Sequence, residues 1–178
     1  MSDPAVAALG GWSTFYTMLG SSAAALIGLM FVVIGLVMGT APRQAHRDGI
    51  AVFSTPTVVH LGAVLLTSAV VLAPWPFHRT PVALIALTGL AGLAYTGRLI
   101  ARTRTLRVYQ ADLEDWLWYN ILPLLGYGSL CVGGLFAFRF PGRALFVVAG
   151  GAVLLIFIAI RNAWDIVTYI ATERREQQ

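Results

Sequence analysis

Residues 23–38 read AAALIGLMFVVIGLVM, a run of sixteen residues without a charged side chain. Trp12 and Tyr16 precede this run as aromatic residues of the kind found at membrane interfaces. The sequence therefore predicts a first membrane-spanning helix from about Trp12 to Met38, slightly longer than the ~20 residues that cross a bilayer. We expect this helix to tilt or protrude. We also expect it to stay in the mature protein, because it exceeds the apolar length of a signal peptide and follows no positive segment.

Four further apolar runs follow the first, and polar or proline-rich segments separate them. The chain of 178 residues is 58% hydrophobic and 11% charged, with a mean hydropathy of +0.77. It therefore has too little polar surface to coat a water-soluble globule. We expect a single all-α domain over residues 1–178, a polytopic transmembrane helical bundle of five helices in a lipid bilayer. The predicted spans are 12–38, 50–73, 82–98, 116–138 and 144–163, with the last helix continuing to about Thr172 and a cytoplasmic tail at 172–178.

The distribution of arginine predicts an orientation. All 12 basic residues are arginines, against 8 acidic residues, and they flank the apolar spans, where they are suited to lipid phosphates rather than to nucleic acid. Because cytoplasmic loops carry the excess of positive charge, we expect the N-terminus outside and the C-terminus in the cytoplasm. The lysine-free composition, rich in alanine, glycine, valine and arginine, indicates a GC-rich bacterial genome. We expect the protein in the bacterial inner membrane. Arg43, Arg47, Arg98, Arg102, Arg104, Arg107, Arg174 and Arg175 fall on the predicted inner side, and Arg79, Arg139 and Arg143 on the outer side.

Small residues recur at helical spacing within the spans, a pattern that favours close packing of helices in lipid. Each stripe predicts a contact either within the chain or between copies of it. Two prolines, Pro56 and Pro123, lie inside the second and fourth spans, where each favours a kink. The stripes are Gly20, Ala24 and Gly28, with Gly35 and Gly39 further on; Thr88, Gly92 and Thr96; and Ser129 and Gly133.

The second span carries the most informative single residue, His60, which stands about ten positions into an uncharged stretch. Ionisable groups at that depth are costly and usually face the bundle interior or water. Ser54, Thr57 and Thr67 lie on or near the same helical face. One interpretation makes these four residues the lining of a conduction or proton pathway, with His60 titrating. The other is a neutral histidine hydrogen-bonded to a neighbouring helix.

Two further groups of charged residues flank the spans. Arg161 and Asp165 are four residues apart on the last helix, where they can pair on one face, either as an interface anchor or as a gating element. Asp112, Glu114 and Asp115 precede the fourth span. Carboxylates there interact well with the helix N-terminus, and a cation-concentrating mouth is the alternative interpretation.

The sequence carries no recognisable enzyme motif, such as a nucleophile elbow, a phosphate-binding glycine loop or HExxH. A single cysteine, Cys131, excludes a disulfide framework and a cysteine-based metal site. We therefore expect a protein that is not an enzyme and that holds no metal and no cofactor.

The first 75 residues resemble a known group of proteins. Trp12, Phe15 and Gly20, the stretch AAALIGLMFV at 23–32, and the LAP at 72–74 are similar to small bacterial integral membrane proteins, some of which carry the label "modulator of FtsH protease". The resemblance implies a helical inner-membrane protein with a protein partner. It identifies no functional residues.

Two functional hypotheses follow from these patterns. The first is a homo-oligomeric membrane channel or pore, a transport protein whose polar second helix lines the pathway with Ser54, Thr57, His60 and Thr67. The second is a non-conducting protein that modulates a membrane partner such as a protease.

Overall fold

A computed structural model describes residues 9–40, 47–105 and 116–176, and all regular structure within these ranges is helical. The all-α fold predicted from the sequence is thereby confirmed. Five helices in this part of the chain are long and apolar enough to cross a membrane. They are α1 (Ser13–Thr40), α2 (Arg47–Leu72), α3 (Arg79–Thr105), α4 (Leu117–Ala137) and α5 (Pro141–Glu176).

The helix boundaries differ from the predicted spans mainly by extension. α3 begins at Arg79, so that Pro81 lies in its first turn, where the missing proline N–H has no helical acceptor to lose. α5 continues to Glu176 rather than to Thr172, because no proline or glycine interrupts its polar final turns. Its apolar portion covers Pro141–Asp165, so the helix extends beyond any bilayer-length segment.

Helices α2 to α5 form a ring. α2 contacts α3 and α5, and α4 contacts the same two helices, so that α2 and α4 face each other across the ring. α1 packs outside this ring, chiefly against α2. Successive helices are antiparallel. One end of the bundle contains the C-terminal ends of α1, α3 and α5 and the N-terminal ends of α2 and α4, and it is called the tail end. The opposite end is called the head end.

Small residues bring α3, α4 and α5 into close contact. A methyl group at Gly89 of α3 would overlap the backbone of Cys131 on α4, and one at Gly134 would lie 2.6 Å from the backbone nitrogen of Ala86. Close backbone approach of this kind is a main source of helix association in lipid.

The predicted stripes contribute in the same way: a methyl group at Gly92 would overlap the Tyr127 ring, and one at Gly133 would lie 2.7 Å from Val148 of α5. These two glycines are therefore used within the chain.

The small residues of the α1 stripe do not all pack against another helix. A methyl group at Gly20 would lie 2.9 Å from Cβ of Ser68, so this glycine packs against α2. Ala24 is exposed, and nothing lies within 4 Å of a methyl group built at Gly28 or Gly35. The outward side of α1 thus presents small residues that no other described residue of the chain covers.

An irregular turn begins α4. Residues Leu117–Ile121 form a π-helical turn, and the backbone N–H of Leu122 donates to the carbonyl of Leu117. Pro123 follows at once, in the first turn of the regular helix. The irregularity that the sequence predicts near Pro123 therefore takes the form of a widened turn, a common means of fitting an extra residue at functional positions.

Candidate functional site

A hydrogen bond crosses the ring between the two helices that face each other. Nδ1 of His60 on α2 lies 2.9 Å from Oη of Tyr127 on α4, and both side chains are buried. The two ring centroids are 5.5 Å apart with an interplanar angle of 53°. His60 is close to the midpoint of α2, so the bond lies deep within the membrane-spanning part of the bundle. Which partner donates depends on the histidine tautomer.

Gly92 on α3 provides the space for Tyr127. A methyl group at Gly92 would overlap the Tyr127 ring, so the phenol reaches His60 only because α3 has no side chain at this position. Leu155 of α5 packs against Gly126, the neighbour of Tyr127. Residues of all four ring helices therefore meet at the depth of the His60–Tyr127 hydrogen bond.

Polar side chains continue from this hydrogen bond toward the tail end. Thr57 precedes His60 by one turn of α2, about 5 Å along the helix axis. Thr96 follows Gly92 by one turn of α3, about 6 Å along the helix axis. Asn162 follows Leu155 by two turns of α5, about 10 Å along the axis. All three are buried, with exposures of 0%, 1% and 1%. Three different ring helices thus contribute a polar side chain to the tail half.

Two of these side chains lack a hydrogen-bond partner within the described part of the chain. They are Thr96, through its Oγ1, and Asn162, through both Oδ1 and Nδ2. A buried polar group without a partner costs about 1–3 kcal/mol, and such groups are usually paired in folded proteins. The tail half of the ring therefore contains donors and acceptors that the described residues do not satisfy.

The head half of the ring is apolar by comparison. Val64, Ile85 and Leu130 are fully buried on α2, α3 and α4. Thr67 lies on the same face of α2 as His60 and is also fully buried. Its hydroxyl donates to the carbonyl of Ala63 at 2.8 Å, within its own helix. The polar character of the ring interior therefore changes at the His60–Tyr127 hydrogen bond.

A second polar contact area lies between α1 and α2, outside the ring. Ser68 is buried beside Gly20, and its Oγ has no hydrogen-bond partner among the described residues. The hydroxyl of Tyr16, one turn before Gly20 on α1, is also buried without a described partner. Ser68, the neighbour of Thr67 in the sequence, therefore faces α1 rather than the interior of the ring.

Near the tail end, Arg161 and Asp165 of α5 form a salt bridge. Both side chains are about one-third exposed. The guanidinium of Arg161 also lies 5.6 Å from the centroid of the Trp118 ring, and the hydroxyl of Tyr119 donates to Oδ2 of Asp165 at 3.5 Å. The π-helical turn of α4 thus supplies two aromatic partners to the pair. A gating or interface role for the pair stays a prediction.

Several predicted site residues fall outside these observations. Ser54 belongs to α2, but its side chain is outside the part of the structure that is described. The acidic mouth proposed from the sequence, Asp112, Glu114 and Asp115, lies outside the described residues altogether. The structure brings together Thr57, His60 and Thr67 on the inner face of α2.

Sequence reasoning missed Tyr127 and Asn162 as members of the site and considered Thr96 only as a small packing residue. A signal for Tyr127 was present in the stretch LLGYGSL at 124–130. A phenol in the middle of an apolar, glycine-rich span requires both space and a hydrogen-bond partner. Asn162 stands next to the charged Arg161 in the sequence, but its side chain is buried and lies on the same face of α5 as Leu155, which packs against α4.

The fold and the site define a class of protein: an all-α membrane protein with five bilayer-length helices in its described part, four of which surround a hydrogen-bonded histidine–tyrosine pair. Comparisons with protein-family models, with curated proteins and with solved structures found no match to the chain. The resemblance of the first 75 residues to small bacterial membrane proteins stays a prediction.

Proposed function

We propose that this protein transfers protons across the membrane through the interior of each chain, with the His60–Tyr127 pair at the centre of the pathway. The observation that carries the proposal is the 2.9 Å hydrogen bond between these two side chains, buried at mid-helix. An ionisable residue inside a membrane bundle is costly to retain and commonly belongs to an ion or proton pathway.

The chemistry of the pair suits proton transfer. A neutral imidazole accepts a proton on one ring nitrogen and releases one from the other, which makes histidine a proton carrier near neutral pH. The Tyr127 hydroxyl can both donate and accept a hydrogen bond, so it orients the ring in either tautomer. Thr57, Thr96 and Asn162 supply hydroxyl and amide groups between the pair and the tail end.

The geometry supports a pathway inside one chain rather than between chains. The polar face of α2 is turned toward α4, and its described residues Thr57, His60 and Thr67 are buried. A pore on an oligomer axis lined by α2 would need this face at the surface of the chain. We therefore propose an intrachain route. With the sequence-predicted orientation, the tail end lies on the cytoplasmic side of a bacterial inner membrane.

Proteoliposomes test the proposal. The purified protein is reconstituted with a pH-sensitive dye inside the vesicles, and a potassium diffusion potential drives proton uptake. Because a positioned proton-transfer group contributes on the order of 100-fold or more, His60→Leu is expected to remove nearly all of the flux. Tyr127→Phe is expected to reduce it. His78→Leu, which changes a histidine in the segment between α2 and α3, is the matched control and leaves the flux intact.

Two outcomes contradict the proposal. The first is wild-type protein that gives no flux above empty liposomes across a wide pH range. The second is His60→Leu protein that conducts as well as His78→Leu protein.

The outward side of α1 favours a second candidate, a non-conducting protein that modulates a membrane partner such as a protease. Gly28 and Gly35 on this side have open space around them, and Ala24 is exposed between Gly20 and Gly28. Small residues at this spacing allow a second helix to approach closely. The same side of α1 would also join copies of the chain in the homo-oligomer that the sequence predicts.

Affinity capture in mild detergent separates these cases. Gly28→Leu places a bulky side chain on the open side of α1, and Gly97→Leu places the same side chain on α3; nothing lies within 4 Å of a methyl group built at either position. A partner protein captured with wild-type and Gly97→Leu but lost with Gly28→Leu supports the second candidate. Recovery of the chain alone, as an oligomer of defined size, counts against a dedicated partner.

A further inference from the structure

The four ring helices divide the bundle interior into two halves of different chemistry. Toward the tail end, Thr57, Thr96 and Asn162 come from three different helices and are each at least 99% buried. Toward the head end, Val64, Ile85 and Leu130 are fully buried on α2, α3 and α4, and the Thr67 hydroxyl is bonded within its own helix. The His60–Tyr127 hydrogen bond marks the boundary between the halves.

The unpartnered atoms of the tail half require a ligand that both donates and accepts hydrogen bonds. Asn162 offers an amide with two donor hydrogens and an acceptor oxygen, and Thr96 offers a hydroxyl; none of these atoms has a hydrogen-bond partner among the described residues. No carboxylate is among the described buried residues, and Asp165, near the tail end, is paired with Arg161. The described residues of the tail half therefore do not specify a cation. Water fits the donor and acceptor set, because buried water typically makes two to four hydrogen bonds to groups that lack other partners.

We propose that Thr96 and Asn162, with Thr57, bind a file of water molecules that fills the tail half of the ring, joins the solution at the tail end and stops at the His60–Tyr127 pair. The water file would supply protons to His60, and this role rests on the proposed function. In this conformation the head half is dry, because its fully buried aliphatic side chains offer water no partners. Proton transfer from His60 to the head end therefore requires a rearrangement that brings water into this half.

Thiol accessibility tests the proposal directly. Cys131 is the only cysteine of the chain, so Cys131→Ser gives a background without thiols. Single cysteines are then introduced at Thr96 and Asn162 in the tail half and, as matched controls, at Val64 and Leu130 in the head half. The probe is Ag⁺, which is small, does not cross the bilayer and reacts with ionised thiols. Its reaction is measured as protection from later labelling by a fluorescent maleimide after denaturation.

A hydrated tail half makes Thr96→Cys and Asn162→Cys react at least about tenfold faster than Val64→Cys and Leu130→Cys, because a thiol in an apolar site is seldom ionised. Ag⁺ is added separately to spheroplasts and to inverted vesicles, and Glu176→Cys marks the side on which the tail end lies. The fast reaction is expected only from that side. Each variant is first compared with the Cys131→Ser parent by size-exclusion chromatography. If Asn162→Cys or Leu130→Cys prevents folding, the more conservative pair of Thr96→Cys and Val64→Cys decides the test.

Uniformly slow reaction at all four positions overturns the proposal, as does uniformly fast reaction, which would mean that the head half is equally wet. The labelling requires no transport. Slow labelling combined with proton flux in proteoliposomes therefore rejects the water file alone, whereas fast tail-half labelling without any flux rejects the proposed function alone.

Discussion

The aromatic ring of Tyr127 lies in the space that a side chain at Gly92 would occupy. An alanine at position 92 must displace the ring or the α3 backbone, and overpacking of this kind usually costs about 1–3 kcal/mol. We therefore expect Gly92→Ala to lower the stability of the folded protein in mixed detergent micelles, measured by unfolding with increasing SDS. Gly97→Ala is the control, because nothing lies within 4 Å of a methyl group there. Equal stability of the two variants would contradict the packing described for Tyr127.

The hydrogen bond between His60 and Tyr127 predicts energetic coupling. In a double-mutant cycle with His60→Ala and Tyr127→Phe, we expect a coupling energy of about 0.5–1.5 kcal/mol, the range of hydrogen bonds between membrane helices. The same unfolding measurement supplies the four stabilities. A parallel cycle with Thr67→Val and Tyr127→Phe is the control and should be additive, since the Thr67 hydroxyl bonds to its own helix. Additivity in both cycles would mean that the His60–Tyr127 contact contributes nothing to folding.

The effect of Asn162→Leu on the stability of the fold depends on whether the tail half of the ring is dry or filled with water. Replacing an unpaired buried amide in a dry site by leucine should stabilise the fold by about 1–3 kcal/mol, because the cost of the unpaired group disappears. If water satisfies the amide, Asn162→Leu should leave the stability nearly unchanged and instead exclude water from the ring. We expect the second result, together with slower Ag⁺ reaction at Thr96→Cys in the same chain. Ala159→Leu, which enlarges a buried side chain one turn away without loss of a polar group, is expected to destabilise the fold by overpacking.

The ion pair of Arg161 and Asp165 predicts a small contribution to stability. Both side chains are about one-third exposed, and pairs in such settings contribute about 0.2–1 kcal/mol. Asp165→Asn should therefore lower the stability by less than about 1 kcal/mol. Proton flux measured on the same variant tests the predicted gating role. A changed flux with unchanged stability supports gating, whereas small losses of both flux and stability assign the pair to anchoring.

The sequence was sufficient to predict the five helices, because each apolar run is as long as a bilayer is thick and the polar segments between runs are unambiguous. It also indicated which face of α2 is turned inward, since a histidine and threonines facing lipid would be costly. Helix ends were less predictable. The final turns of α5 contain no proline or glycine, but their polar composition is typical of a tail as well as of a continuing helix.

The partner of His60 could not be predicted for a topological reason. His60 and Tyr127 are 67 residues apart in sequence, and they meet because α2 and α4 face each other across the ring. The order of helices around a ring depends on close contacts such as Gly89 with Cys131, which small residues permit but do not specify. Asn162 escaped notice for a related reason, because its inward direction becomes evident only once Leu155 is seen to pack against Gly126.

The continuity of α5 has a mechanical consequence. At 1.5 Å per residue its 36 residues extend for about 54 Å, well beyond the ~30 Å hydrocarbon core of a bilayer. The helix is uninterrupted from Pro141 through Asn162 to Glu176, so its final turns act as a rigid lever attached to the ring interior. A force applied to that lever outside the membrane would rotate or tilt the helix that carries Asn162, and would thereby reach the polar half of the ring without any moving loop between them.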